Sequence, residues 1–174
     1  MTVDEEMLAT VIAKDAIREL ALLYCRGIDR KDTELVRSLY TEDATDAHGD
    51  LYYGTVDEFI GALDQSLPKI RYTGHHVCNH LISITGDEGE GEVYALAYHN
   101  VSDGKGGYVE DLIAVRYFDR YRKENGRWRF SKRVVVFDWQ TIRPIPTPEG
   151  EAPIPAKDPS YAVLSSRLFA RGAS

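Results

Sequence analysis

Apolar residues recur at helical intervals along the first part of the chain. Ile12, Ile17, Leu20, Leu23, Tyr24 and Ile28 predict one stripe of an amphipathic helix running from about residue 5 to about residue 30. Gly27 and the polar run Asp29-Arg-Lys-Asp32 mark its frayed end. A second, short helix is predicted on Leu35, Val36, Leu39 and Tyr40 behind Asp32-Thr33, stopping near Thr41-Glu-Asp43. Thr55-Val-Asp-Glu58 has capping-box spacing, in which Thr55 and Glu58 satisfy each other's free backbone amides. It opens a third helix through Phe59, Ile60 and Leu63 to Pro68. This reading puts three helices ahead of any strand.

From His75 the pattern becomes β-branched and aromatic, broken by glycine turns. Strands are predicted over His75–Thr85, Glu92–Ser102, Tyr108–Lys123 and Trp128–Gln140, with turns at Gly86-Asp87, Asp103-Gly-Lys-Gly-Gly107 and Glu124-Asn-Gly126. Four such strands in succession form a strongly curved antiparallel meander. The prolines from Arg143 through Pro153, Pro155 and Pro159 cannot extend a ladder, so this stretch should run extended over a neighbouring surface. Tyr161–Ala170 is then predicted as a last helix near the pocket mouth. The fold class is α+β: a cone-shaped barrel over residues 1–142, with three N-terminal helices packed in a curved antiparallel sheet, then a Pro-rich extension over 143–174.

Composition narrows the function classes. A chain of 174 residues makes one domain and a core of its own. Its 21 Lys plus Arg against 28 Asp plus Glu give a net charge of −7, which argues against nucleic acid and anionic membrane as partners. The N-terminus, Met1-Thr-Val-Asp-Glu-Glu, is acidic where a secretory leader is basic, and no run reaches membrane-spanning length, so the expected location is cytoplasmic. Cys25 and Cys78 read as reduced, partly buried thiols. Gly104-Lys-Gly-Gly107 has no helix behind it and is a turn rather than a phosphate cradle.

The candidate chemistry lies in Asp29, at the end of the first helix, and His75, at the start of the first predicted strand. A carboxylate that orients an imidazole makes it a general base at neutral pH. Alternation puts His75, Val77, Asn79 and Leu81 on one face of the strand and His76, Cys78, His80 and Ile82 on the other. His99 shares a face with the small residues Val93, Ala95 and Ala97 and can meet His75 across a curved sheet. The bland alternative is that both histidines cap strand ends. No metal and no cofactor are expected: His76 and His80 sit about 13 Å apart along a strand, unlike the helical pair that chelates zinc. Tyr24 precedes Asp29 by five residues, about 140° round an ideal helix, so the two share a pocket only if the helix loosens near Gly27. Tyr53, Tyr98 and Tyr117 are candidate walls for a flat or aromatic ligand. Ile113, Val115, Val135 and Phe137 are expected on the outer sheet face, as an interface.

The runs Tyr24-Cys-Arg-Gly-Ile-Asp29, Leu39-Tyr-Thr-Glu-Asp43, His75-His-Val-Cys-Asn79-His-Leu-Ile, Trp128-Arg-Phe and Arg133-Val-Val-Val-Phe-Asp-Trp139 together resemble the SnoaL-like branch of the nuclear-transport-factor-2-like superfamily. The resemblance is to its scytalone dehydratase, bile-acid 7α-dehydratase and hexachlorocyclohexane dehydrochlorinase group. It implies a cone fold, a homo-oligomer with a trimer first, and a cofactor-independent lyase acting on a hydrophobic cyclic or aromatic small molecule. It implies an Asp29–His75 dyad, the latter matched by the spacing to Asn79, with His99 or Tyr24 as the acid. Tyr24 matches a tyrosine of the bile-acid enzyme, and His99 the second histidine of scytalone dehydratase. Two departures separate the chain from these relatives. Ile28 stands where scytalone dehydratase has a tyrosine, and Val136 and Phe137 where the dehydrochlorinase has arginines. Alternative functions are a carbon-carbon lyase releasing formaldehyde from a lignin-derived diaryl compound, and a non-catalytic binder or oxygenase small subunit.

Overall fold

A computed structural model describes residues 4–50 and 52–172; Met1, Thr2 and Val3 of the acidic N-terminus lie outside the described residues. Asp4 caps the first helix by accepting from the backbone N–H groups of Glu6 and Met7, and Glu5 and Glu6 complement the positive end of its dipole. This helix, α1, runs unbroken over Glu5–Asp29. Ile17, Leu20, Tyr24 and Ile28 are buried on it as predicted, whereas Ile12 is 60% exposed because the five-residue step to Ile17 takes it off the stripe. Gly27 does not fray the helix. A Cβ there would lie 2.6 Å from the Val36 side chain, so glycine lets α2 (Thr33–Ser38) close against α1. The predicted capping box of Thr55 and Glu58 is formed and starts α3 (Val56–Ser66).

Two strands precede α3, which corrects the helices-first reading. β1 (Tyr40–His48) pairs in parallel with the last strand, and β2 (Tyr52–Thr55) pairs antiparallel with β1. The acidic run after Tyr40 looks like a helix stop because it lacks apolar alternation. Ladder bonds to the last strand hold it extended instead, and its inward carboxylate finds hydrogen-bond partners locally. Asp46, fully buried, accepts from the Tyr40 hydroxyl at 2.7 Å and pairs with His48 Nδ1 at 2.5 Å.

The remaining strands form the predicted meander, each longer than foreseen: β3 (Ile70–Thr85), β4 (Glu88–Ser102), β5 (Tyr108–Glu124) and β6 (Arg127–Ile145). The sheet order is β2-β1-β6-β5-β4-β3, open at both edges. Bulges between Val77 and His80 on β3, and along the β5–β6 ladder, curve it around the helices. Pro144 sits within β6, where only β5 is a partner and the missing N–H faces the open side.

Two apolar clusters fill the concave side. One joins α1, α2 and α3 to the sheet through Ile17, Leu35, Val36, Phe59, Tyr121 and Phe130. The other, Val93, Ala95, Ala97, Ile113, Val115, Tyr117 and Val135, covers the sheet's own inner face. Ile113, Val115 and Val135 therefore point inward, contrary to the outer-face expectation; Phe137 pairs with Val115 on the same face and is 38% exposed. Their parity is set by Tyr117, Asp119 and Tyr121, which alternate with outward residues into the core. The outer face instead carries Tyr94, Leu96, Phe118 and Trp139, all partly exposed, around an Arg116–Asp138 ion pair of 2.8 Å.

The C-terminal tail binds back on its own chain. Arg26 donates to Ser160 Oγ and to the carbonyl of Phe169, and its guanidinium lies over the rings of Tyr161 and Phe169. Arg30 pairs with Asp158 at 2.8 Å, and Arg171 donates to the carbonyls of Arg30 and Lys31. The predicted helix over Tyr161–Ala170 is only a turn, α4 (Ser160–Val163), and a 3-10 turn over Arg167–Phe169. Ser166 breaks it by capping Leu168 N–H.

Candidate active site

Helix α1 ends against β3 and delivers Asp29 beside His75. Oδ1 of Asp29 lies 2.7 Å from His75 Nδ1, and Oδ2 accepts the backbone N–H of His75 at 3.0 Å. Thr73 donates its hydroxyl to Oδ1 at 3.4 Å. The side chains of His75 and Asp29 are 9% and 12% exposed, so water competes weakly for these bonds. A carboxylate facing Nδ1 requires the proton there and leaves Nε2 with a free lone pair.

His99 meets His75 edge to face, with ring centroids 5.7 Å apart. Thr73 is the cross-strand partner of His99 on one side and Asp111 on the other. Burial, with the neighbouring His75 acting the same way, lowers the pKa of His99 below the ordinary histidine value, opposed by Asp111 and Asp29. His99 is thus neutral near pH 7. Next to this pair, on the same inner face of the sheet, packs a buried apolar cluster that includes Val77, Ala95, Ala97, Ile113 and Val115.

The other sequence candidates fall in different places. Tyr117 is buried on the inner face, 6.1 Å from the Tyr24 ring. Tyr24 is buried in the main core because α1 does not loosen at Gly27; burial raises its pKa well above 10 and keeps the phenol protonated. Asn79, expected beside His75, is exposed. The bulge at Cys78-Asn79 consumes one step of alternation, turns both outward and brings His80 to the inner face, where it meets the Tyr121 hydroxyl at 3.1 Å. Cys78 is accordingly exposed, while Cys25 is buried with its thiol pKa pushed up to about 12 by desolvation. Tyr98 lies on the face of β4 opposite His99, against Tyr72, and Tyr53 is 80% exposed near the far edge of the sheet. Among the described residues no group of three His, Cys, Asp or Glu side chains is placed to hold a metal.

Several residues at the site were not singled out from sequence. Asp111, opposite His99, accepts from the Gln140 side chain at 2.8 Å. Deeper in the cone, Arg133 makes two 2.8 Å bonds to Asp119, with both side chains fully buried. Its guanidinium lies 4.1 to 4.3 Å from the ring centroids of Tyr24, Phe130 and Tyr117, and its Nη1 has no partner among the described residues. The available signal was parity: Asp111 and Asp119 alternate with Ile113, Val115, Tyr117 and Tyr121, and a charge on a core-facing set is costly unless it has a role.

An α+β cone with a part-buried Asp–His pair beside an apolar cluster on the inner face of the sheet is the architecture that these elements define. The chain belongs to the SnoaL-like domain family, whose model matches residues 9–134, within the nuclear-transport-factor-2-like superfamily. Among solved structures it is similar to a hexachlorocyclohexane dehydrochlorinase (LinA) type 2, at 22% identity and a TM-score of 0.72 over 82% of this chain and 98% of that one. It is also similar to a scytalone dehydratase candidate from Novosphingobium aromaticivorans, at 22% identity and a TM-score of 0.70 over 83% and 97%. ActVI-ORFA from Streptomyces coelicolor shares 17% identity at a TM-score of 0.60, over 72% of this chain and 97% of that one. No curated protein matches the sequence.

Proposed function

We propose that the protein is a lyase of the dehydratase type, acting on a hydrophobic cyclic or aromatic small molecule. The observation that carries this reading is the 2.7 Å contact of Asp29 with His75 Nδ1, which leaves Nε2 as the base. Nε2 takes a proton from carbon, the C–H electron pair becomes the new double bond, and the neighbouring C–O bond breaks. The imidazolium, held by Asp29, returns its proton to the departing oxygen, so water leaves and the dyad is restored. His99, neutral and adjacent, donates a hydrogen bond to the oxygen on which negative charge builds, a role for which it is better placed than Tyr24. The steps draw on this chain's own side chains. The resemblance of the fold to a dehydrochlorinase and a dehydratase candidate supports an elimination, and the apolar cluster packed beside His75 on the same sheet face favours a hydrophobic substrate.

The test is to incubate the full chain with cyclic β-hydroxy ketones and aromatic alcohols in D₂O and follow the products by mass spectrometry. Loss of 18 mass units or uptake of deuterium at carbon, absent in His75→Gln, is expected. Release of formaldehyde would move the reaction to carbon-carbon cleavage; an unchanged compound that only raises the melting temperature would make the protein a binder.

A further inference from the structure

A cavity of about 390 Å³ lies beside the dyad, between the end of α1, the start of β3 and the returning tail. Four cations line it, Arg30, Lys31, Arg71 and Lys157, against two carboxylates, Asp29 and Asp158. Both carboxylates already have partners: Asp158 pairs with Arg30 in the same wall at 2.8 Å, and Asp29 holds His75. The other cations have only neutral partners. Lys31 Nζ donates to the carbonyl of Ile70 at 2.5 Å, and Arg71 donates to the backbone carbonyls of residues 149–151. Lys157 is exposed and makes no ion pair among the described residues. In a chain of net charge −7, a partly buried wall with two surplus positive charges is a local inversion that favours an anion.

Apart from Thr73 the rest of the lining is Tyr72, Ile154 and prolines of the tail, and the volume suits a small organic ligand. Asp29, which holds His75 through Nδ1, and Thr73, which donates to Asp29, line this cavity, so a molecule anchored here sits beside the carboxylate that orients His75. We propose that the cavity is a carboxylate-binding subsite, in which Lys31, Arg71 and Lys157 hold the acid group of an aromatic carboxylic acid whose ring lies on Tyr72 and Ile154. That this acid is the substrate rests on the elimination reading above; the binding site does not. Burial lowers the pKa of the Lys31 ammonium, a cost that a carboxylate beside it would offset. The tail beyond the family-matched residues then acts as one wall of the site.

The test is calorimetric titration of the full chain with 4-hydroxycinnamate and with its uncharged amide. The acid is expected to bind at least about tenfold more tightly, with the gap narrowing as salt rises from about 50 mM to about 500 mM. Lys157→Glu, at an exposed position that leaves the fold intact, should abolish the preference and leave amide binding unchanged. Lys31→Asn, tolerated at the left-handed φ of +50°, should do the same. Equal affinity for acid and amide, no binding of either at millimolar concentration, or a preference that survives both substitutions would overturn the subsite. His75→Gln should keep the preference. If acids bind as described but none is converted, the elimination reading fails alone; if a neutral alcohol is dehydrated through His75 with no preference for acids, the subsite fails alone.

Discussion

Asp29 holds His75 at two points, through the ring Nδ1 at 2.7 Å and through the backbone N–H at 3.0 Å. One carboxylate thereby fixes both the tautomer and the strand that carries the ring, so Nε2 keeps one direction. Because Asp29 ends α1, anything that shifts the last turn of that helix is transmitted to the His75 ring.

The buried Arg133–Asp119 pair should dominate the stability of the inner cone. Arg133→Met leaves Asp119 charged and unpaired and should cost about 3 to 5 kcal/mol in urea unfolding, whereas the double change Arg133→Met with Asp119→Leu should recover most of it. A single substitution that costs under about 1 kcal/mol would show that the pair is dispensable.

Stability should fall as the solution is acidified below the ordinary histidine pKa. His99 and His80 both have folded-state pKa values lowered, first of all by burial, so near pH 6 the unfolded chain binds protons that the folded chain does not. This stabilisation is complete above about pH 6.5 and is lost as pH falls toward the folded values. Melting temperatures of the wild type and of His99→Asn with His80→Asn between pH 7.5 and 5 test this. The double variant should show the shallower decline, and parallel curves would refute the assignment.

The fold class was legible in the sequence because amphipathic α1, the capping box at Thr55 and the glycine-punctuated meander each satisfy a local rule. β1 was not, since Glu42, Asp43 and Asp46 lack alternation and become a strand only through pairing with β6. The proximity of Asp29 and His75 was legible from a carboxylate at a helix end and a histidine in the next strand, although β3 begins at Ile70 and carries His75 within it rather than at its start, while Asn79 was misplaced by a bulge that no local signal announces. Tyr53 and Tyr98 followed from composition alone, which is blind to which face a side chain takes. Arg133 and Asp119 went unassigned although their parity placed them inside.

Truncation after Ile145 should loosen the end of α1, because the tail supplies the bonds to Arg26, Arg30 and the carbonyls of Arg30 and Lys31. Amide exchange over residues 26–32 should quicken and activity should fall further than the melting temperature suggests. Unchanged exchange there would make the tail an inert appendage.

The family resemblance implies a homo-oligomer, trimer before dimer, and the exposed Tyr94, Leu96, Phe118 and Trp139 of the outer sheet face are the surface through which it should pack. Sedimentation should give a multiple of the 19.6 kDa chain, and Leu96→Glu should shift it toward monomer. A wild-type monomer at micromolar concentration would contradict the expectation.

The most direct measurement compares turnover of the same compound by wild type, Asp29→Asn and His75→Gln, with each variant's melting temperature recorded alongside. Loss of the oriented base should lower turnover by about 10²- to 10⁴-fold in Asp29→Asn and remove nearly all of it in His75→Gln, with both proteins folded. A folded His75→Gln variant that keeps turnover within about tenfold of wild type would contradict the dyad and place the base elsewhere.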